Sequence, residues 1–459
     1  MQAGSSSTAP PKIAFYGDDF TGATDTLATV SQAGLRSLLF LRPPDAALLA
    51  RAGPLDVIGI AGASRSMGNA AMAAELEPVR RFFAGLGARI VHYKTCSTFD
   101  SAPHIGSIGI AIATLRSLSS NPLVAIVGGQ PNLNRYCVFG NLFATVETGG
   151  DVHRIDRHET MSRHPVTPMT EADLRVHLAR QGLARVASID YTAYDLDEAA
   201  LDARLEALVG NAADAVLFDV AHASHLAAVG RLLWQRSASK PLLAVGPSSV
   251  EQALMAHWQA RAPAPPAARR PSLPQGPVLV VAGSLSGVTA RQLARATSYV
   301  QVAVDPQRLL DGGVAGVAAT VAAIVAHLSE GRHVLVQTSN ADGMDHRQDR
   351  TRTAMHSSAG PAARDPGASG RLARATGELL RHLLAKVPLR RIGIAGGDTS
   401  SHAVTALDMW GLSYLGAVAP GVALCRAHAE SARLDGIELM LKGGQMGQPD
   451  IFERLLGAV

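Results

Sequence analysis

The sequence predicts two doubly wound α/β domains joined by a proline-rich linker. Short apolar runs alternate with longer amphipathic segments along the whole chain, the pattern of βα units around a largely parallel sheet. At 459 residues the chain is too long for one ordinary core. Between Ala260 and Pro277 the stretch ARAPAPPAARRPSLPQGP can hold neither a helix nor a central strand, because its prolines lack the backbone donor both require. The expected division is therefore 1–259, a linker over 260–277, and 278–459.

In the first domain KIAFYG reads as the opening strand and GATDTLATVSQAG as a helix closed by Gly34. SLLFL and DVIGIAG are strands, NAAMAAELEPVRRFFAGLG is helical, RIVHYKT is a strand, IGSIGIAIATLRSL is helical and PLVAIVGG is a strand. Residues 128–170 read as irregular. Beyond them VASIDY, AVLFDV and PLLAVG are strand-like, with LDEAALDARLEALVG and HLAAVGRLLWQ helical between them. The second domain opens with VLVVAGSLSGVTARQLARA, a strand, a polar loop and a helix, and VQVAVD, HVLVQTS and RIGIAGGDTSS continue the alternation. Asn340 to Gly370 is polar, rich in Gly and Ala and without apolar period, so it reads as a surface insertion.

Composition narrows the function. A net charge of +4 without a basic block, and 4% aromatic residues, give nucleic-acid binding no support. Cys96, Cys137 and Cys425 lack paired spacing, which argues against a disulfide framework and a structural zinc site and fits reducing cytoplasm. No apolar run is long enough to span a bilayer, and MQAGSSSTAPP lacks the apolar core of a signal peptide. P-loop, dinucleotide, zinc-protease and serine-hydrolase signatures are absent.

Polar clusters instead follow the strand ends, where open α/β sheets bind ligands. YGDDFTGATD places Asp18 and Asp19 after the first strand; helix capping accounts for one of them but not both. AGASRSM puts Arg65 past another strand, its planar fork suited to a carboxylate. YKTCSTFDS brings Lys94, Ser97, Thr98 and Asp100, a set suited to a polyhydroxyl ligand, whereas Cys96 has no base placed to activate it. In the second domain Ser284 and Ser286, then Gly396, Gly397, Asp398 and Thr399, precede helices whose free N–H groups favour phosphate. Lys442, Gly443 and Gly444 add a cation beside flexible backbone.

Together these motifs resemble the four-carbon acid sugar kinases over nearly the whole chain. The resemblance rests on Asp18–Ala23, Ala63–Arg65, Lys94–Phe99, Pro165–Met169, Gly283–Gln292, Gly396–Ser400, Pro420–Val422 (which adds Gly421 to the nucleotide set) and Lys442–Gly447. It implies an ATP-dependent kinase with an N-terminal acid-sugar domain, a C-terminal nucleotide domain and an active-site cleft between them. Arg65 and Lys94 would hold the substrate carboxylate; Asp18, Asp19, Ser97, Thr98 and Asp100 would bind its other oxygens. One aspartate, Asp19 by a small margin, would accept the proton of the attacking hydroxyl. Mg²⁺ would be held mainly through the nucleotide phosphates. The C-S-T-F-D-S form of the third motif is similar to the 3-oxo-tetronate kinase branch, so a 3-oxo-tetronate is the expected acceptor, with threonate, erythronate or 3-oxo-isoapionate as alternatives. GGQPNLNRYCVFGNLFA departs from that branch and leaves a bulkier or branched 3-oxo acid open. A non-catalytic sugar-acid sensor is the rival of another class; a homodimer is the expected assembly.

Overall fold

The apolar runs become strands of four or five residues, most of them buried on both faces, as a parallel sheet covered by helices requires. The computed structural model describes residues 9–146, 149–164, 166–211, 213–260, 272–283, 286–338 and 368–457. It comprises two units, Met1–Arg270 with Trp410–Cys425, and Pro271–Met409 with Arg426–Val459.

Unit 1 runs β1 (Ile13–Gly17), α1 (Phe20–Gln32), β2 (Ser37–Phe40), α2 (Ala46–Ala52), β3 (Val57–Ala61), α3 (Asn69–Ala84), β4 (Ile90–Lys94), α4 (Ile108–Leu115) and β5 (Val124–Gly128). Three short strands follow, β6 (Arg135–Val138), β7 (Asn141–Thr145) and β8 (Val152–Arg154), then α5 (Leu174–Ala179), β9 (Val186–Ile189), α6 (Glu198–Gly210), β10 (Ala215–Asp219), α7 (His225–Arg236), β11 (Leu242–Gly246) and α8 (Ser249–Gln259). The main strands lie parallel in the order β2-β3-β1-β4-β11-β5-β10-β9. The chain first fills one side of β1 and then the other, so the strand order reverses at β1. In register, Gly17 lies opposite both Ala61 and Lys94, and Lys94 opposite Gly246. Four carboxyl ends therefore finish level around that switch point, the place where such sheets bind ligands.

Local sequence explains this arrangement. Phe20, Ala23, Leu27 and Val30 recur at helical spacing and bury one face of α1. Phe15 pairs with Gly59 across the sheet, and a Cβ at Gly59 would lie 2.2 Å from the Phe15 ring, so β3 carries a glycine where β1 carries its bulkiest residue.

Unit 2 runs β12 (Val278–Ala282), α9 (Gly287–Arg295), β13 (Val300–Ala303), α10 (Pro306–Gly316), α11 (Ala318–Ser329), β14 (Val334–Gln337), α12 (Ala368–Lys386), β15 (Arg391–Ala395) and α13 (Gly397–Ala406). After β16 (Met409–Ala419) and β17 (Val422–Ala429) come β18 (Glu438–Lys442) and α14 (Ile451–Leu455). Its parallel order, β13-β14-β12-β15-β18, repeats around β12 the reversal seen around β1.

Two segments differ from the sequence-based expectation. Residues 128–170 are not irregular throughout: β6, β7 and β8 pair as a small antiparallel sheet. Their three to five residues are too few to show a period. Trp410–Cys425 groups with unit 1, and β16 runs antiparallel to β2 with Gly411 opposite Phe40 and Leu412 opposite Leu39. This pairing covers the hydrogen-bonding edge of β2, and Trp410 packs its ring 6.2 Å from that of Phe40. Linker residues 261–271 and most of the Asn340–Gly370 insertion lie outside the described residues. Among the described residues no single helix is long and apolar enough to cross a membrane.

Arg391 anchors the amino end of β15 from a buried position. Its Nε donates to Glu438 Oε2 (2.6 Å), Nη1 to the Leu455 carbonyl (2.8 Å) and Nη2 to the Ser272 carbonyl (2.6 Å). Arg391→Ala leaves these acceptors without a cation and is expected to cost about 3 kcal/mol. Hydrogen exchange checks this: amides of β15 and β18 should exchange at least about tenfold faster while those of β1 and β4 keep their rates.

Candidate active site

The chain leaves β1 with the Asp18 N–H donating to the Lys94 carbonyl at 2.9 Å. Asp19 then caps α1 in extended conformation, its Oδ1 accepting from the Gly22 N–H at 2.7 Å and its Oδ2 from the Thr21 hydroxyl at 3.0 Å. Beyond β3 a single 3₁₀ turn, Ser64–Ser66, presents Arg65, whose N–H donates to the Asp18 carbonyl at 3.2 Å. β4 ends on Lys94 and continues into the turn that holds Cys96 to Ser101. There the buried Phe99 adopts φ +53°, a conformation that costs a non-glycine residue about 1 kcal/mol. The Ser101 hydroxyl holds the Phe99 carbonyl at 2.9 Å, and the bend brings Asp100 to the Arg65 guanidinium.

Three carboxylates and two cations thus meet with little access to water. Arg65 Nη1 lies 2.8 Å from Asp19 Oδ2, and its Nε 3.9 Å from Asp100 Oδ2. Lys94 Nζ lies 3.5 Å from Asp19 Oδ1 and 3.8 Å from Asp18 Oδ1. The Thr98 hydroxyl donates to Asp100 Oδ1, and Ser97 is buried beside it. Asp18 Oδ2 accepts from the Cys96 N–H (3.3 Å) and the Thr95 hydroxyl (3.4 Å), while its Oδ1, fully buried, accepts no hydrogen bond among the described residues.

Negative charge is in excess, and the environment decides where a proton sits. Burial lifts the Asp18 carboxyl, Asp19 and Asp100 lift it further, and Lys94 and Arg65 offset this only in part, so it is pushed up to about 6. Burial also lifts Asp19, but Arg65, Lys94 and the bonds from Gly22 and Thr21 outweigh it and hold that carboxyl well below its usual range. Adjacent aspartates are therefore driven apart, the arrangement that separates a proton acceptor from a permanent anion. Burial pushes the Cys96 thiol up to about 11, which keeps it protonated.

In unit 2 the loop after β18 is tied to the start of α9. Ser286 caps α9, accepting from the Thr289 N–H at 3.1 Å, and its hydroxyl also donates to the Gly444 carbonyl. Thr289 Oγ1 donates to the same carbonyl at 2.9 Å and accepts from Lys442 Nζ at 3.2 Å. Gln292 Nε2 spans the carbonyls of Met446, Gly447 and Gln448 at 2.9–3.1 Å. Lys442 is buried, and among the described residues no carboxylate meets it; burial pushes its ammonium down to about 7. Gly396 precedes α13 with φ +129°, and its N–H donates to the Lys442 carbonyl at 2.8 Å, so the β15 and β18 turns begin side by side. Thr399 is buried near the end of β12: a Cβ at Gly283 would lie 2.4 Å from its Oγ1.

Asp18, Asp19, Arg65, Lys94, Ser97, Thr98 and Asp100 thus gather at neighbouring strand ends of unit 1, and Ser286, Gly396, Gly397, Thr399 and Lys442–Gly444 at those of unit 2. Gly421 stands apart: with φ +71° it makes the tight turn between β16 and β17, within the segment grouped with unit 1. Ser284 and the side chain of Asp398 lie outside the described residues. Thr289 and Gln292, which fasten the Lys442 loop, belong to the G-S-x-S-x-x-T-x-x-Q pattern, whose spacing on one helical face was the available signal.

Both units have counterparts among known proteins. Residues 13–254 match the family model of a sugar-binding N-terminal domain and residues 279–452 that of a nucleotide-binding C-terminal domain. The 3-oxo-isoapionate kinase of Paraburkholderia graminis is 41% identical over 98% of this chain and 95% of its own length. The 3-oxo-tetronate kinase of Cupriavidus necator is 30% identical over 97% and 96%. Solved structures of proteins from Salmonella typhimurium LT2 and Haemophilus influenzae share the fold, with TM-scores of 0.75 and 0.67 at 23% and 22% identity; they cover 96% and 97% of this chain, and 98% and 99% of their own. Fold and matches define a carbohydrate kinase built from a sugar-binding and a nucleotide-binding domain. The chain belongs to the four-carbon acid sugar kinase family.

Gly22 is what lets Lys94 reach both aspartates, since a Cβ there would lie 1.5 Å from Nζ. Gly22→Ala is expected to displace the ammonium and lower kcat/KM for acid phosphorylation by about a hundredfold. Steady-state kinetics check this, with circular dichroism showing that the variant is folded at the assay temperature.

Proposed function

We propose that the chain transfers the γ-phosphoryl group of ATP to a terminal alcohol of a 3-oxo acid sugar, with Asp18 as the proton acceptor. The observation that carries this reading is the buried Asp18 Oδ1, without a hydrogen bond among the described residues yet only 3.8 Å from Lys94 Nζ. The alcohol oxygen attacks the γ-phosphorus in line as the bond to the bridging oxygen breaks, its proton passes to Asp18, and ADP leaves. From sequence Asp19 is the favoured acceptor, but both its oxygens are taken by Gly22, Thr21, Arg65 and Lys94. Asp19 is better suited to aim the two cations. Arg65, its side chain still 17% exposed, can offer the rest of its fork to the substrate carboxylate.

The nucleotide falls to unit 2. Lys442 and the backbone N–H groups at Gly443–Gly444 and Gly396–Thr399 would cradle the polyphosphate, and that anion would supply the countercharge Lys442 lacks among the described residues. Mg²⁺ accompanying ATP would neutralise phosphate charge. Phosphates and water are the usual ligands of such a Mg²⁺.

As acceptor we favour a branched acid of the 3-oxo-isoapionate type over a 3-oxo-tetronate. The support is the 41% identity to a kinase named for the former, against 26–30% to kinases named for the latter. An ADP-release assay across branched and linear 3-oxo acids, threonate and erythronate tests this; faster turnover of the linear acids would overturn the preference, and no release with any acid would overturn the reaction.

The proton role has its own pH signature. Because Asp18 is raised to about 6 and acts only when ionised, kcat/KM should fall about tenfold per unit below that pH and level off above it. Asp18→Asn should lower kcat by about a thousandfold and abolish this limb.

A further inference from the structure

Past the aspartates, a second polar cluster continues along the same strand ends. Asp25 stands on the face of α1 that carries Thr21 and Gly22, one turn further on, and acts electrostatically on the Lys94 ammonium. Its Oδ2 accepts from the Ser248 hydroxyl at 2.6 Å and from Gln130 Nε2 at 3.0 Å. Thr26 Oγ1 lies 3.0 Å from Ser248 Oγ, so with Ser248 donating to Asp25 the Thr26 hydroxyl donates to Ser248. Ser248 and Gln130 follow β11 and β5, the two strands beyond β4 in the sheet.

Three features mark this cluster as built for a ligand. Ser248 occupies the N-cap of α8 yet makes no capping bond, forgoing about 1 kcal/mol of helix stabilisation, and spends its hydroxyl on Asp25 instead. Gln130 is held rigidly: its N–H donates to the Arg135 carbonyl at 2.8 Å and its carbonyl accepts from Arg135 and Leu133. The preceding Gly129 takes φ +91°, where a Cβ would lie 2.3 Å from the Val220 carbonyl. Finally, Gln130 is 1% exposed, yet among the described residues its Oε1 has no hydrogen-bond partner. Asp25 Oδ1 likewise accepts no hydrogen bond there. Two acceptor oxygens, on side chains joined by the Gln130 Nε2–Asp25 Oδ2 bond, stand without a protein donor among the described residues and call for a hydroxyl donor.

We propose that Asp25 and Gln130 form a second hydroxyl-binding subsite of the acid-sugar site, taking a substrate hydroxyl other than the one phosphorylated, with Ser248 and Thr26 as its positioning residues. The inference rests on the kinase reading above and deepens it: the subsite recognises the extra hydroxyl of a hydroxymethyl branch.

The test compares a 3-oxo acid bearing a hydroxymethyl branch with the same acid whose branch ends in methyl. The parent enzyme should prefer the hydroxylated acid, and in Gln130→Met the ratio of the two kcat/KM values should fall at least about tenfold. Gln130→Asn, which retracts the amide while keeping it polar, should shift the ratio in the same direction and serves if the Met variant folds poorly. Ser248→Ala should lower the ratio through KM rather than kcat, and Ser248→Thr should restore it. A ratio unchanged in folded, active Gln130 variants would overturn the subsite. Calorimetric titration of both acids without ATP gives an independent reading. Binding that discriminates the two acids and loses discrimination in Gln130→Met supports the subsite even if no ADP is released, an outcome that would overturn the kinase reading alone.

Discussion

The structure of unit 1 turns on burying Asp18 and Asp19 side by side. Two adjacent carboxylates removed from water are tolerable only with cations close by, and neighbouring chain cannot supply them, since residues 16–25 carry no Lys or Arg. The cations come from β3 and β4, which makes the strand order around β1 and the level ends of Gly17, Ala61 and Lys94 electrostatic requirements as well as packing outcomes. Smaller features follow. Gly22 must lack a side chain for Lys94 to reach across α1, and Phe99 must enter a left-handed conformation for Asp100 to reach Arg65.

Each unit is left electrostatically incomplete in its own way. The unit 1 cluster sets three buried carboxylates against two cations, and burial, reinforced by Asp19 and Asp100, raises the proton affinity of Asp18. Unit 2 has the opposite defect, a buried ammonium at Lys442 that among the described residues meets a hydroxyl and a carbonyl and no carboxylate. On the proposed reading, a proton-releasing alcohol would relieve the first and a polyphosphate the second. The two defects are therefore complementary to the two substrates of a kinase, more informative than either loop sequence alone.

Much of this was legible in the sequence because strand ends are local. An apolar run followed by DDFTGA, ASR or KTCSTFD announces a polar residue at a carboxyl edge, whatever the strand order. What depends on pairing between distant residues was not. The distinction between Asp18 and Asp19 rests on Arg65 and Lys94, more than forty residues away in the chain, and on a cap that both aspartates could have supplied. Gly421 enters the nucleotide set only through the resemblance at Pro420–Val422, and its positive φ in the turn between β16 and β17 is not announced by the sequence. The strands β6 to β8 were too short to carry a period, and Trp410–Cys425 joins unit 1 through an edge pairing that no local pattern announces.

Helix caps give the last step. In both units helices begin where strands end, so the cap residue already stands at the ligand edge. Asp19 caps α1 and also fixes Arg65 and Lys94, Ser286 caps α9 and also holds the Gly444 carbonyl, and Ser248 gives up its cap altogether to aim Asp25. The net worth of a cap, about 1 kcal/mol, matches that of one hydrogen bond in recognition. Sequence can therefore move a side chain from stabilising a helix to positioning a ligand with little change in overall stability. A Ser or Asp before a helix is thus ambiguous in sequence by nature, and only the direction of its hydrogen bond resolves which task it performs.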